Sequence, residues 1–347
     1  MIYLLAVLLL GACTEGDLPL KENEPFAVRF STVEIGAEIT TRSPLAENVP
    51  LRILAFRRVG DVPDLSADEY IAEGMYRVES GNGVLSPVNP LLLSAGTYDF
   101  YALTPDLAVS RTGSGGSKTC TVSVGHGCDY AASLTKSKTV SESAREVALQ
   151  ELSRHCTKLT FALAPKSDAY VTAVDIVSAG LTNMTNAPVV GKLLETLPVD
   201  GATCRTTVNL TGFTAPDDNK PLELSASTVV LPRKAGAFDY QMKVKFNGSD
   251  RETELVAHLP QGLAFQPGYS YTFTVKLKGG NAILELTVAP WNSYAYDTDM
   301  GEAVKITLTI GEWTNVAWNG PADTGGNTTL TVSGWEVSNT WSDEMGR

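Results

Sequence analysis

Residues 91–105, LLLSAGTYDFYALTP, read as two short strands around a turn. Leu91 and Leu93 come before Ser94-Ala95-Gly96, and Tyr98, Phe100 and Ala102 follow on alternate positions, the period of a half-buried strand. Gly96 is available for a positive φ in the turn. This stretch decides the fold class because its texture recurs on both sides. FAVRFSTVEI from Phe26, LRILAFRRV (51–59), YRVES (76–80) and TCTVSVG (119–125) repeat it before residue 130. A second series follows: CTKLTFALAP (156–165), YVTAVDIVSAG (170–180), ATCRTTVNLTGF (202–213), STVVLP (227–232), FDYQMKVKFNG (238–248), TELVAHLP (253–260), YSYTFTVKL (269–277) and AILELTVAPW (282–291). Strand-like runs about 8–14 residues apart, separated by Gly, Pro and Asn, are the mark of β-sandwiches rather than alternating βα units.

Between the two series lies SESAREVALQELSRH (141–155), the one helical candidate by its Ala, Glu, Arg, Leu and Gln content. VALQEL inside it also passes as a strand. Taken as a connection, it divides the chain into an N-terminal sandwich over 26–150 and a C-terminal one over 151–347 that carries extra C-terminal strands. A chain of 347 residues is long enough for two cores.

The N-terminus sets the location. MIYLLAVLLLGACTEGD opens with an apolar run over residues 2–12, with the small residues Gly11 and Ala12 directly before Cys13. This is the core and cleavage site of a secretory signal, and the run is too short to span a bilayer. Leu10-Gly11-Ala12-Cys13 resembles the bacterial lipobox, in which the signal, here 1–12, is removed and the cysteine takes a lipid. Residues 13–25 then form a polar, proline-bearing tether.

The remaining composition excludes more than it assigns. A net charge of −12 with no basic stripe argues against a nucleic-acid partner. His126, His155 and His258 fall in unrelated segments, so no nucleophile, base and orienting group are brought together, and neither enzymatic activity nor a cofactor is expected. Gly113-Ser114-Gly115-Gly116-Ser117-Lys118-Thr119 has a serine where a phosphate loop needs glycine and is followed by strand residues, so it reads as a surface loop. YDTDMGE (296–302) lacks the ligand spacing of a calcium loop, and the cysteine spacing fits no zinc framework, so no metal site is expected. Cys120 and Cys128 bracket TVSVGHG, a span able to close as a hairpin with the sulfurs opposed, and export would permit that disulfide. Cys156 and Cys204 read as a second pair or as buried thiols.

The tail holds a repeat. LELTVAPW (284–291), ITLTIGEW (306–313) and TTLTVSGW (328–335) place Trp291, Trp313 and Trp335 at intervals of 22 residues. The tryptophans read as aromatics closing strand ends, with Trp335 and Trp341 as candidate contact residues for another molecule.

Four stretches together resemble the fimbrillin-like lipoproteins of Bacteroidetes: VRFSTVEIGAEITTRS (28–43), LLLSAGTYDFYALTP (91–105), LQELSRHCTKLTFAL (149–163) and FQPGYSYTFTVKL with LELTVAPW (265–291). Glu15 and Asp17, soon after the cysteine, resemble the signal that sends such lipoproteins to the outer face of the outer membrane. The resemblance implies two tandem transthyretin-like β-sandwich domains and a structural or adhesive role in a cell-surface pilus, as subunit, anchor or tip. It further implies that Cys13 carries the lipid and that polymerising members are cut after an arginine in the first domain. The first strand then leaves with the anchor, and a neighbouring subunit's strand fills the groove. Arg42 in TTRS is the first matching position and Arg57-Arg58 the second, with Arg58 as the cut residue there. The implied partners are other pilus subunits, the outer membrane through the lipid anchor, and a host or bacterial surface glycan or protein. The competing reading is a surface glycan-binding lipoprotein using Trp313, Trp318, Trp335 and Trp341 as sugar platforms.

Overall fold

The computed structural model describes residues 24–31, 34–36, 43–79, 84–113, 118–165, 173–198, 204–215, 223–246, 248, 250, 252–259, 263–278, 281–290, 304–306 and 328–330. Among these residues the chain is all-β, without a helix. The first part forms β1 (Phe26–Ala27), β2 (Arg29–Phe30), β3 (Glu34–Gly36), β4 (Ser43–Pro44), β5 (Pro50–Arg57), β6 (Glu69–Val78), β7 (Leu85–Asn89), β8 (Leu92–Leu93), β9 (Gly96–Thr104), β10 (Val109–Thr112), β11 (Thr119–Val124), β12 (Ala131–Val140), β13 (Glu146–Val147) and β14 (Leu152–Arg154). The second forms β15 (Thr157–Pro165), β16 (Val174–Met184), β17 (Val189–Lys192), β18 (Thr206–Leu210), β19 (Leu224–Val230), β20 (Phe238–Phe246), β21 (Glu252–Leu259), β22 (Tyr269–Lys278), β23 (Asn281–Pro290), β24 (Val304–Ile306) and β25 (Thr328–Leu330).

The centre of the first part is an eight-stranded sheet in the order β4-β3-β14-β12-β9-β5-β6-β7. Its middle strands are buried on both faces, which explains their almost unbroken apolar runs. On β5, Leu51, Ile53 and Ala55 enter one core with Tyr98, Phe100 and Ala102 of β9. Leu54 and Phe56 enter another, with Tyr101 and Leu103. The first core is closed by Val28, Phe30 and Ile35 near the start of the chain and by Val147 and Leu152. The second is covered by the small sheet β10-β11-β17. The strand β17 comes from beyond residue 156, so this cover joins the two parts of the chain, and Leu193, Leu197 and Leu231 pack into it.

The second part packs two five-stranded sheets face to face, β19-β15-β22-β23-β24 and β18-β16-β20-β21-β25. Phe161 of β15 stacks on its register partner Phe273 of β22 at 5.0 Å and on Tyr240 of the facing sheet at 4.9 Å. The tail beyond residue 291 contributes one short strand to each sheet: β24 pairs antiparallel with β23, and β25 pairs parallel with β21. Arg233 ties the inner turns together. Its guanidinium is buried, donates to the carbonyls of Asn183, Lys234, Gly236 and Ala237 at 2.8–3.0 Å, and lies over the Phe238 ring.

Two expectations are corrected. SESAREVALQELSRH is not a helix: it makes a turn at residues 142–143 and then β13 and β14, whose parallel partners are β2 and β3. Distant strands offered its backbone better partners than a local helix, and tertiary pairing overrides propensity of a few tenths of a kcal/mol per residue. The turn at Ser94-Ala95-Gly96 uses its glycine for space rather than for φ, since Gly96 is not among the positive-φ residues. A Cβ there would sit 3.1 Å from the Tyr98 hydroxyl, which donates to the Ser94 carbonyl.

Candidate functional site: the groove that holds residues 26–36

Residues 26–31 and 34–36 lie in a groove of the first part as three short strands. Phe26 and Ala27 pair with Leu93 and Leu92 on one side. On the other, Arg29 and Phe30 run parallel to Glu146 and Val147, and Ile35 and Gly36 run parallel to Leu152 and Ser153. Backbone bonds fill the intervals: Val28 N–H donates to Leu91 O at 2.9 Å, Arg29 N–H to Arg145 O at 2.9 Å and Ser31 N–H to Val147 O at 3.2 Å. The alternation seen in FAVRF becomes a division of labour. Val28, Phe30 and Ile35 are buried in the core, while Arg29 faces out opposite Glu146, an opposite-charge pair across the strands. The Phe30 ring meets Tyr76 edge-on at 5.0 Å and Phe100 at 5.5 Å. Burial of side chains of this kind contributes about 1.5–3 kcal/mol each.

The floor of the groove is organised by Tyr76 and Gly74, neither of which stood out in the sequence. The Tyr76 hydroxyl donates to Val28 O at 3.1 Å and accepts from Leu91 N–H at 2.9 Å, so one buried group holds both the inserted segment and the strand beside it. Burial pushes its pKa up to about 12, partly opposed by the Leu91 N–H, and the phenol keeps the proton it donates. At Gly74 an added Cβ would come within 2.7 Å of Leu91 N and 2.9 Å of the Tyr76 ring. Only glycine lets these groups approach, and a glycine inside a strand pattern is the signal that marks such a place.

A family model described as fimbrillin-like matches residues 73–295, more than half of the sequence. The chain belongs to the fimbrillin-like family. Pilus or adhesin component is the role that membership carries. Among solved structures, a protein from Bacteroides fragilis described as a candidate cell adhesion protein aligns at 19% identity and TM-score 0.54, over 78% of this chain and 100% of its own. A second such protein, from Bacteroides uniformis, aligns at 14% identity and TM-score 0.50, over 76% and 98%. The fimbrial anchor protein Mfa2 from Porphyromonas gingivalis matches more remotely, at 11% identity and TM-score 0.39, over 78% and 100%. At these identities the first two likenesses speak for the fold. No curated protein sequence matches.

Elsewhere in the fimbrillin-like chain the expected site residues fall in different circumstances. Cys13, Arg42 and the tryptophans Trp313, Trp318, Trp335 and Trp341 lie outside the described residues. Arg58 does not: its Nε and Nη2 donate to the two carboxylate oxygens of buried Asp99 at 2.9 and 2.6 Å, and Nη1 donates to Asp61 O. Asp99 also accepts from Ser137 N–H, and buried Asp68 accepts from Val59 and Asp64 N–H, so the whole 58–68 loop is pinned. The hairpin expected to oppose Cys120 and Cys128 does not form, because β11 pairs instead with β10 and β17 and sets Cys120 opposite Arg111. Cys120, Cys128, Cys156 and Cys204 are free thiols, and burial raises the pKa of the first three. Residues 113–118 join antiparallel β10 to β11 and precede a strand rather than a helix. Among the described residues no group of three or more His, Cys, Asp or Glu is placed to hold a metal ion.

Proposed function

We propose that this chain is a structural or adhesive component of a cell-surface pilus, exported as a lipoprotein through Cys13 and joined to other subunits by strand addition at the groove that holds residues 26–36. The observation that carries the reading is the way this segment is held. Three buried side chains and scattered backbone bonds fix it, so a strand from another subunit with apolar residues at the same spacing could replace it. Arg42, six residues past β3, is the proposed cut, and the engagement of Arg58 with Asp99 supports ranking that position second. A protease needs its arginine free and the chain around it extended. The proposed organisation is two transthyretin-like sandwiches, with the divide moved from residue 150 to after β14, a strand of the first part's sheet, and with the tail strands β24 and β25 belonging to the second. Outer-membrane anchoring belongs to the same proposal.

The test is to treat the intact protein with an arginine-specific protease, sequence the new N-terminus and follow size. A chain beginning at Ser43 that loses residues 26–36, forms higher assemblies and binds a peptide covering Phe26–Gly36 is the expected outcome. A cleaved chain that stays monomeric and ignores the peptide overturns the reading.

A further inference from the structure

We propose that the turn at His126 is an acid-released clasp between the two parts of the chain. His126 sits between β11 and Tyr130, on the side of the molecule where β17 and the 229–231 segment cross over from beyond residue 156. Its Nε2 lies 2.8 Å from Thr185 O, and its Nδ1 lies 3.2 Å from Leu231 N. A carbonyl can only accept and an amide N–H can only donate, so the two contacts define the ring completely. Nε2 carries the proton and donates to Thr185, and Nδ1 is the bare acceptor for Leu231. The next residue adds a third bond to the same segment, Gly127 N–H to Val229 O at 2.7 Å, and its φ of +84° makes glycine the residue suited to the turn.

A second proton can only enter at Nδ1. It would then point at the Leu231 N–H, turning a hydrogen bond into two opposed donors in a half-buried place, so the ring must leave one of its partners. The other groups around it do not change this conclusion. On its own turn, Cys128 and Asp129 follow, and Asp129 is paired with Arg154 at 3.2 Å. Beyond Thr185 lies Cys204, whose thiol is 3.9 Å from Thr185 Oγ1. Beyond Leu231 lies Arg233, whose guanidinium is turned onto carbonyls. His155 stacks on the Tyr130 ring at 5.0 Å.

Burial lowers the His126 pKa, partly opposed by the bond to Thr185 O. A histidine depressed in the folded state takes up protons on unfolding, so its contribution is complete above its unfolded value near about 6.5 and is lost as pH falls through that value toward the folded one. His155 shifts in the same direction through burial. Asp129 shifts upward, burial outweighing Arg154, so acid favours its folded form and it has the opposite sign.

The test is backbone hydrogen exchange of the intact protein at pH 7.5 and pH 5.0, corrected for the intrinsic rates, with imidazole NMR of His126. Protection at Gly127 and Leu231 should fall at least tenfold at the lower pH while the amides of β15 and β22 hold, and His126 should titrate below the ordinary histidine range from the Nε2-protonated tautomer. In His126→Asn the fall should vanish, and in His155→Asn and Asp129→Asn it should persist. Unchanged protection at pH 5.0, a fall that survives in His126→Asn, or an Nδ1-protonated ring in the wild type overturns the proposal. Should His126→Asn not fold, the wild-type tautomer and exchange profile decide.

Discussion

Parallel strand pairing takes opposite forms in β15–β22 and in the segment at residues 26–36. In the second part, β15 and β22 run side by side over eight register pairs, from Lys158 opposite Ser270 to Pro165 opposite Leu277. In the first, residues 26–36 meet β13 and β14 through only two pairs each. A long ladder is held by its backbone and cannot be removed without dismantling the sandwich. The backbone bonds of the 26–36 segment are instead divided among β8, β13, β14 and β4, with no more than two register pairs to any one of them, and Val28, Phe30 and Ile35 add the buried side chains that hold it. The difference separates a permanent element from an exchangeable one.

Phe30→Ala is the change expected to break that contrast most strongly. Losing a buried ring between Tyr76 and Phe100 should cost about 3–5 kcal/mol, read by urea denaturation. Phe161→Ala should cost a comparable amount, yet only Phe30→Ala should speed arginine-specific cleavage in the native state while leaving the second core's exchange protection intact. Equal cleavage rates in both variants would erase the distinction. Gly74→Ala comes next, since its methyl group would strike the Leu91 backbone and the Tyr76 ring; a loss of about 1–3 kcal/mol in thermal or urea stability is expected. Tyr76→Phe sharpens the comparison at the smallest scale. It keeps the ring but deprives Val28 O and Leu91 N–H of their partner, for a loss of about 1–2 kcal/mol and faster exchange at Leu91.

Much of this was visible in the alternation of side chains. Tyr98, Phe100 and Ala102 do face one core, as their spacing says, and β15, β22 and β23 lie where the apolar runs place them. What the spacing could not convey is that Tyr101 and Leu103, on the other face of β9, are equally buried, because that needs a second cover that arrives partly from residues 189–197. The same limit applies to the groove. FAVRFSTVEI reads as one strand, but its described residues are shared among β1, β2 and β3, whose partners β8, β13 and β14 lie more than sixty residues away. Nothing local marks Glu146–Val147 as a parallel partner when its composition favours a helix. Arg58 is similar: its neighbour Arg57 makes it look like an exposed basic pair, and only the fold brings Asp99 beneath it.

Arg233 gives the junction a fixed point of a different kind. Its four hydrogen bonds all end on backbone carbonyls, and its fifth contact is an aromatic face. Carbonyls neither titrate nor exchange for dissolved counterions, so this knot should be indifferent to salt and to acidity alike. Its partners Asn183, Lys234, Gly236, Ala237 and Phe238 all belong to the second part, so the wall that His126 leaves keeps its shape in acid and is ready to take the ring back when the acid is removed.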